Sequence, residues 1–380
     1  MGSRANFIIL DDSGLELYYD HWGAQGLALD LLFDGPGETL RRVRSMTRCD
    51  PGNPDHWLDD RWAEGGLVMD LRAKTLRWFD FESVSPRLAC HLLEITWPGW
   101  TPAWCPEGMH GFLPLPGLTR AMLEDGCRLR PERFKKLSSL DPVRTIGGTV
   151  PGDRFNLDRS LVSIRFDDGT IRSVVFGEEI QVVTQFRAEW VVDYVRRLSE
   201  PATAGEPPMP QSGYLVTRAA WASQGMVIDL PGHDVTWWSH GGAFGHMPSN
   251  AASNWPAFTV MTCGDNHEWH QRQVGVRIHP TDMNLAEDAN TLRHAAERRD
   301  LANPGESTAE ALRAAGLDVV TNPEMEAFVP SRRATHRRPV LAALADVLAS
   351  GRRVPPARYV GTDGSIVEPA ACECPRRGPT

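Results

Sequence analysis

One stretch of this chain is repeated within it, without a gap. Trp62-Ala-Glu-Gly-Gly-Leu-Val-Met-Asp-Leu-Arg-Ala-Lys-Thr-Leu-Arg-Trp-Phe79 and Trp221-Ala-Ser-Gln-Gly-Met-Val-Ile-Asp-Leu-Pro-Gly-His-Asp-Val-Thr-Trp-Trp238 are offset by 159 residues and identical at seven of 18 positions. Two unrelated amphipathic hairpins share a crude apolar pattern easily. They rarely share two Trp at one spacing with Gly and Asp between them. Each copy reads as a strand, a turn near Arg72–Lys74 or Pro231–His233, and a returning strand that ends on aromatics.

A second matched pair precedes the first. The apolar run Phe7-Ile8-Ile9-Leu10 meets Asp11-Asp12-Ser13-Gly14 and resumes as alternating Leu15, Leu17 and Tyr19. The stretch 161–176 repeats this around Asp167-Asp168-Gly169. Glycine supplies the positive φ that such turns use. Two matched segments in one order predict an α+β fold of two related halves, with antiparallel hairpins and packed helices. The expected boundaries are a first unit at 1–145, a second at 155–330 and a basic C-terminal extension at 331–380. The stretch 145–153, with three Gly and one Pro, is the expected join, and Pro-rich 200–212 a loop inside the second half. Apolar spacing predicts helices at 86–95, 186–198, 286–299, 308–315 and 339–350. Ser307 and Glu310 have the spacing of a capping box for the fourth, and Pro339 opens the fifth.

Composition bounds the function classes. The net charge of −9 disfavours nucleic acid and anionic membrane as partners. No apolar stretch approaches the 18 residues of a membrane span, and 1–10 is too short a run for a secretory signal. Of 40 basic residues only Lys74, Lys135 and Lys136 are lysine, a skew that points to a GC-rich bacterial genome. The seven cysteines are odd in number and irregularly spaced, which reads as reduced thiols in a cytoplasmic protein. The P-loop, the dinucleotide Gly-x-Gly-x-x-Gly, the Gly-x-Ser-x-Gly elbow and paired Cys-x-x-Cys motifs do not occur.

Three constellations could carry chemistry. Cys263-Gly-Asp-Asn-His-Glu-Trp-His270 places Cys263, His267 and His270 as three possible Zn²⁺ ligands, against the plainer reading of a polar loop with incidental histidines. Asp60, Arg61 and Glu64 lack counterparts in the second copy, so the fold does not require them, and they are candidates to bind a cationic group or act in proton transfer. The alternative is a solvated turn. Trp62, which has a counterpart, reads instead as serving the fold. Trp97, Trp100 and Trp104 lie among three prolines, which rules out a regular helix. They could stack on a flat ligand or dock a partner, or they could close the end of a core. Cys372-Glu-Cys374 is a further soft-metal or redox pair, against a frayed tail.

His21-Trp22-Gly23-Ala24 and Leu58-Asp59-Asp60-Arg61-Trp62-x-Glu64-Gly65, followed by the tryptophans at 97–104, resemble motifs of uncharacterised bacterial proteins. The resemblance covers roughly residues 6–110. It implies a bacterial, cytosolic origin and carries over no catalytic residue. Two functions compete. One is an intracellular binding or interaction protein of immunity or accessory type, acting on a protein or small-molecule partner. The other is a hydrolase or lyase built on 263–270, with Zn²⁺ as its possible cofactor.

Overall fold

The computed structural model describes residues 3–49, 57–58, 62–80, 84–123, 160–176, 183–184, 186–199, 213–241, 251, 254–280, 284–297, 304–320, 335–350 and 354–368. The expected join at 145–153, the loop at 200–212 and the pair Cys372 and Cys374 lie outside them. In chain order the elements are β1 (Ala5–Asp11), β2 (Gly14–Asp20), α1 (Leu27–Val43), β3 (Thr47–Cys49), β4 (Gly65–Asp70), β5 (Thr75–Asp80), α2 (Pro86–Thr96), β6 (Thr101–Trp104), a 3-10 turn (Gly108–Phe112) and α3 (Arg120–Leu123). There follow β7 (Ser160–Arg165), β8 (Ile171–Phe176), α4 (Ala188–Ser199), β9 (Gly213–Val216), β10 (Ala219–Ala222), β11 (Gln224–Asp229), β12 (Asp234–Ser239), β13 (Thr259–Thr262), α5 (His267–Val274) and β14 (Arg277–Pro280). The chain closes with α6 (Leu285–Glu297), α7 (Pro304–Ala314), α8 (Arg337–Ser350), β15 (Tyr359–Val360) and β16 (Ile366–Val367).

The fold is α+β, with antiparallel hairpins and packed helices. Contacts divide it into a first unit, Met1–Glu124 with Asn284–Glu368, and a second within Asp125–Met283. Helices α6, α7 and α8 and the β15–β16 hairpin thus belong to the first unit. The sequence-based boundaries instead put 284–330 in the second unit and 331–380 in a C-terminal extension. Chain order misleads here because α8 packs on α2 and β15 pairs with β6, contacts that no local pattern announces.

The first unit holds an eight-stranded sheet in the order β16-β15-β6-β5-β4-β1-β2-β3. Strands β1 and β4 are parallel neighbours, buried along nearly their whole length, as an apolar strand flanked on both faces should be. Helix α1 packs on β4, β5 and α2, and α2 on β6. Sequence reading missed α1 because Gly35-Pro36 sits inside it. The helix does break there, with Gly35 at φ 68°. It is held across the break by Arg42, whose Nη1 lies 3.2 Å from Asp30 and whose Nε lies 3.5 Å from Asp34, all three buried. Helix α7 starts at Pro304, so Ser307 falls inside the helix rather than capping it.

The second unit holds a six-stranded sheet, β13-β12-β11-β7-β8-β9, with a small parallel pair, β10 and β14, beside it. Alternation divides its core in two. Val162, Ile164, Met226 and Trp237 face α4, through Val191, Tyr194 and Val195. Leu161, Val227 and Trp238 face β10, β14 and α5, through Ala220, Ala222, Ile278 and Trp269.

The second sheet repeats the order β6-β5-β4-β1-β2-β3, with the same parallel or antiparallel sense at each step. The repetition extends to single bonds. Thr101 N donates to Lys74 O and Thr259 N to His233 O, both at 2.8 Å. Cys105 N donates to Trp78 O and Cys263 N to Trp237 O, again both at 2.8 Å. Lys74 and His233 are the two non-glycine residues with positive φ among the described residues, at 54° and 52°. In both units a glycine, Gly66 or Gly225, faces the aromatic Phe79 or Trp238 across the hairpin. A Cβ on Gly66 would stand 2.9 Å from the Phe79 ring, and one on Gly225 would stand 2.6 Å from the Trp238 ring.

Candidate functional site

The 263–270 segment folds as a turn and a short helix, positioned by local chemistry. Gly264 takes φ 65° after β13, the Asn266 side chain accepts from Trp269 N at 3.0 Å as the N-cap of α5, and Gly275 ends the helix at φ 74°. This carries His270 onto the sheet face opposite α4, where Gly225 leaves room. Trp238 Nε1 donates to His270 Nδ1 at 2.8 Å, and His270 Nε2 lies 2.8 Å from Ser163 Oγ. Ser163 Oγ lies 2.8 Å from Ser173 Oγ, its cross-strand neighbour.

A serine 2.8 Å from a histidine has the look of a nucleophile and its base, but the hydrogen-bond roles say otherwise. Indole N–H only donates, so Nδ1 of His270 must present its lone pair. A neutral His270 therefore carries its proton on Nε2 and donates it to Ser163, and it cannot accept the serine's proton there. Burial, with a smaller push from His267, lowers the His270 pKa from 6.5 to about 3, so the ring stays neutral. The network fastens a helix to a sheet.

The same bonds correct the metal reading. Both ring nitrogens of His270 are taken, so it has no lone pair for an ion. Cys263 is buried and its thiol points to Asn266 O at 3.9 Å, while His267 Nδ1 lies 3.3 Å from Glu268. Among the described residues, no three His, Cys, Asp or Glu side chains are grouped to hold a metal. The remaining histidine of this corner, His240, lies edge-on to Trp238 and tilted against His267, with ring centroids at 5.0 and 4.8 Å.

The first unit's candidates are mostly anchors. Trp97 is fully buried and its Nε1 donates to Leu31 O at 2.9 Å, tying α1 to the end of α2. Trp104 is buried in β6 beside Trp78. Trp100 alone reaches the surface, edge-on to Trp97 and under the Lys74 ammonium at 5.1 Å. The three tryptophans therefore present no shared stacking face. Glu64 accepts from Arg4 N at 2.9 Å, a strand-end brace. Asp60 and Arg61 lie outside the described residues.

A comparison with protein-family models, curated proteins and solved structures finds no match.

What the structure singles out instead is Trp62 and Trp221. They hold the same place in their units, three residues before β4 and β11, and both are exposed, at 45% and 56%. The alanine after each, Ala63 or Ala222, is buried. Each indole is covered on a face by a basic side chain. The Arg4 guanidinium lies 5.0 Å from the Trp62 ring, and the His279 ring stacks on Trp221 at 4.8 Å and 26°. In the second unit Tyr214 and Leu215, on the edge strand β9, are also exposed. Sequence reading took Trp62 and Trp221 as fold residues because they matched. The match was the right signal, but only exposure separates them from Trp78 and Trp237. A further residue was missed in the loop after β6: Glu107 is buried, its pKa is raised by burial, and it accepts from Thr362 Oγ1 at 2.8 Å. The shared Cys-x-acid of Cys105–Glu107 and Cys263–Asp265 could have pointed to it.

Proposed function

We propose that the chain is a cytoplasmic binding protein of accessory or immunity type, which grips a protein partner through one exposed tryptophan in each unit. The observation that carries this reading is the pairing of exposures at Trp62 and Trp221. A tryptophan kept at one position of a repeat for the sake of the core would be buried, as Trp78 and Trp237 are. An exposed indole held flat by a basic neighbour is pre-organised for contact, and Trp is the residue most enriched at the energetic centres of interfaces. The net charge of −9 favours a basic protein surface over nucleic acid as the target. No helix among the described residues is long and apolar enough to cross a membrane. The competing reading, a hydrolase or lyase at 263–270, loses its support because His270 has no nitrogen left for a metal or a proton transfer.

The test is to isolate the partner by cross-linking in cells, then titrate it against purified wild type, Trp62→Ala, Trp221→Ala and the double variant. Each single change is expected to weaken binding, and the double change to weaken it further. A double variant that binds as wild type does would overturn the reading.

A further inference from the structure

In the first unit, α6 and α8 flank an open cleft of about 520 Å³, within the range of small-molecule sites. Its floor is apolar: Ala296 and Leu344 are buried, and Leu341 is partly so. Among the described residues its polar lining is Arg293 and Glu297 from α6 and Arg337 from the first turn of α8. Arg337 forms no ion pair among the described residues, and Arg293 reaches only Asn290 Oδ1 at 3.3 Å. Glu297 sits one turn beyond Arg293 and pairs with neither arginine among the described residues. The first turn of α8 contains no acid, so nothing there answers the Arg337 charge.

We propose that this cleft binds a small amphipathic monoanion, a free carboxylate on a short apolar chain. Guanidinium forks match carboxylate and phosphate oxygens alike. The described lining carries two positive charges and one negative, and a single negative charge neutralises those three, which favours a carboxylate over a dianionic phosphate monoester. The apolar floor would bury the chain while the arginines hold the head. The site is independent of the tryptophan surfaces, and its failure would leave the binding-protein reading untouched.

The experiment is calorimetric titration of the full chain with sodium octanoate, using octylammonium as a charge-reversed probe and anionic phospholipid vesicles as the membrane-borne source of the same chemistry. Wild type should bind octanoate, and Arg293→Gln and Arg337→Gln should each weaken binding by about tenfold or more, the loss expected for a charge-assisted pair. Octylammonium and vesicles should not bind. Both arginines are at the surface, so the melting temperatures of the unliganded variants should match wild type. The proposal is overturned by absence of octanoate binding, by unchanged affinity in both variants, or by octylammonium binding equally well. It is also overturned by vesicle binding that needs Arg293 and Arg337, which would make the cleft a lipid-surface site.

Discussion

Trp238 and His270 are joined by one hydrogen bond, indole to Nδ1 at 2.8 Å, and that bond decides how His270 behaves. It fixes the ring tautomer, and burial keeps the ring neutral with a pKa of about 3. The unfolded chain, with an ordinary histidine at 6.5, takes up a proton that the folded chain refuses. This contribution is therefore complete above pH 6.5 and is lost as pH falls towards 3. One proton of difference amounts to about 1.4 kcal/mol per pH unit across that window. Denaturant titrations between pH 7 and 4 should show this slope for wild type and a shallower one for His270→Gln. Equal slopes would mean that His270 protonates in place.

Ser163 should be structural. Ser163→Ala leaves the His270 N–H and the Ser173 hydroxyl without their partner and should cost about 1–3 kcal/mol. A fluorophosphonate probe should leave Ser163 unlabelled in the folded protein. Rapid labelling there would contradict the assigned tautomer.

The four repeated tryptophans should divide by exposure. Trp78→Ala and Trp237→Ala, at 1% and 0% exposed, should each cost about 3–5 kcal/mol. Trp62→Ala and Trp221→Ala should change stability by no more than about 0.5 kcal/mol. Comparable losses at all four positions would return Trp62 and Trp221 to the fold and remove them from the binding surface.

Arg42 holds two buried carboxylates across the break in α1, Asp30 and Asp34. Arg42→Met should remove the guanidinium they share, at a cost of about 3–5 kcal/mol. The triple change that also replaces Asp30 and Asp34 with Leu should recover much of that loss. If the single change is neutral, the triad is not a structural clamp.

Lys74 and His233 hold left-handed backbone, which glycine adopts without the Cβ clash. Lys74→Gly and His233→Gly should each be neutral or stabilising by up to about 1 kcal/mol, and Lys74→Val should be destabilising. Thermal denaturation of the three variants checks the order.

Much of the fold was legible in the sequence wherever it rests on short-range periodicity. The hairpins of β1–β2, β4–β5, β7–β8 and β11–β12 follow from alternation and turn chemistry, and α2, α4, α6 and α8 from helical spacing, because each is decided within about a dozen neighbouring residues. The related halves were visible because the repeated hairpins share their tryptophans and a glycine, Gly66 or Gly225, and Gly at those places is forced by an aromatic lying across the strand. The short strands β3, β6, β13, β15 and β16 carry too few residues to show a period, and they exist because a neighbouring strand offers its backbone. Assignment of α6–α8 to the first unit likewise depends on packing partners far away in the chain. The site was the least legible part. Cys263, His267 and His270 have the residue types of a metal site, and only tertiary structure spends both nitrogens of His270 on Trp238 and Ser163, the latter 107 residues away. Sequence alone made Trp62 and Trp78 equivalent to Trp221 and Trp237. Which pair faces water was decided by the sheet, because a side chain's solvent exposure is a property of everything packed around it.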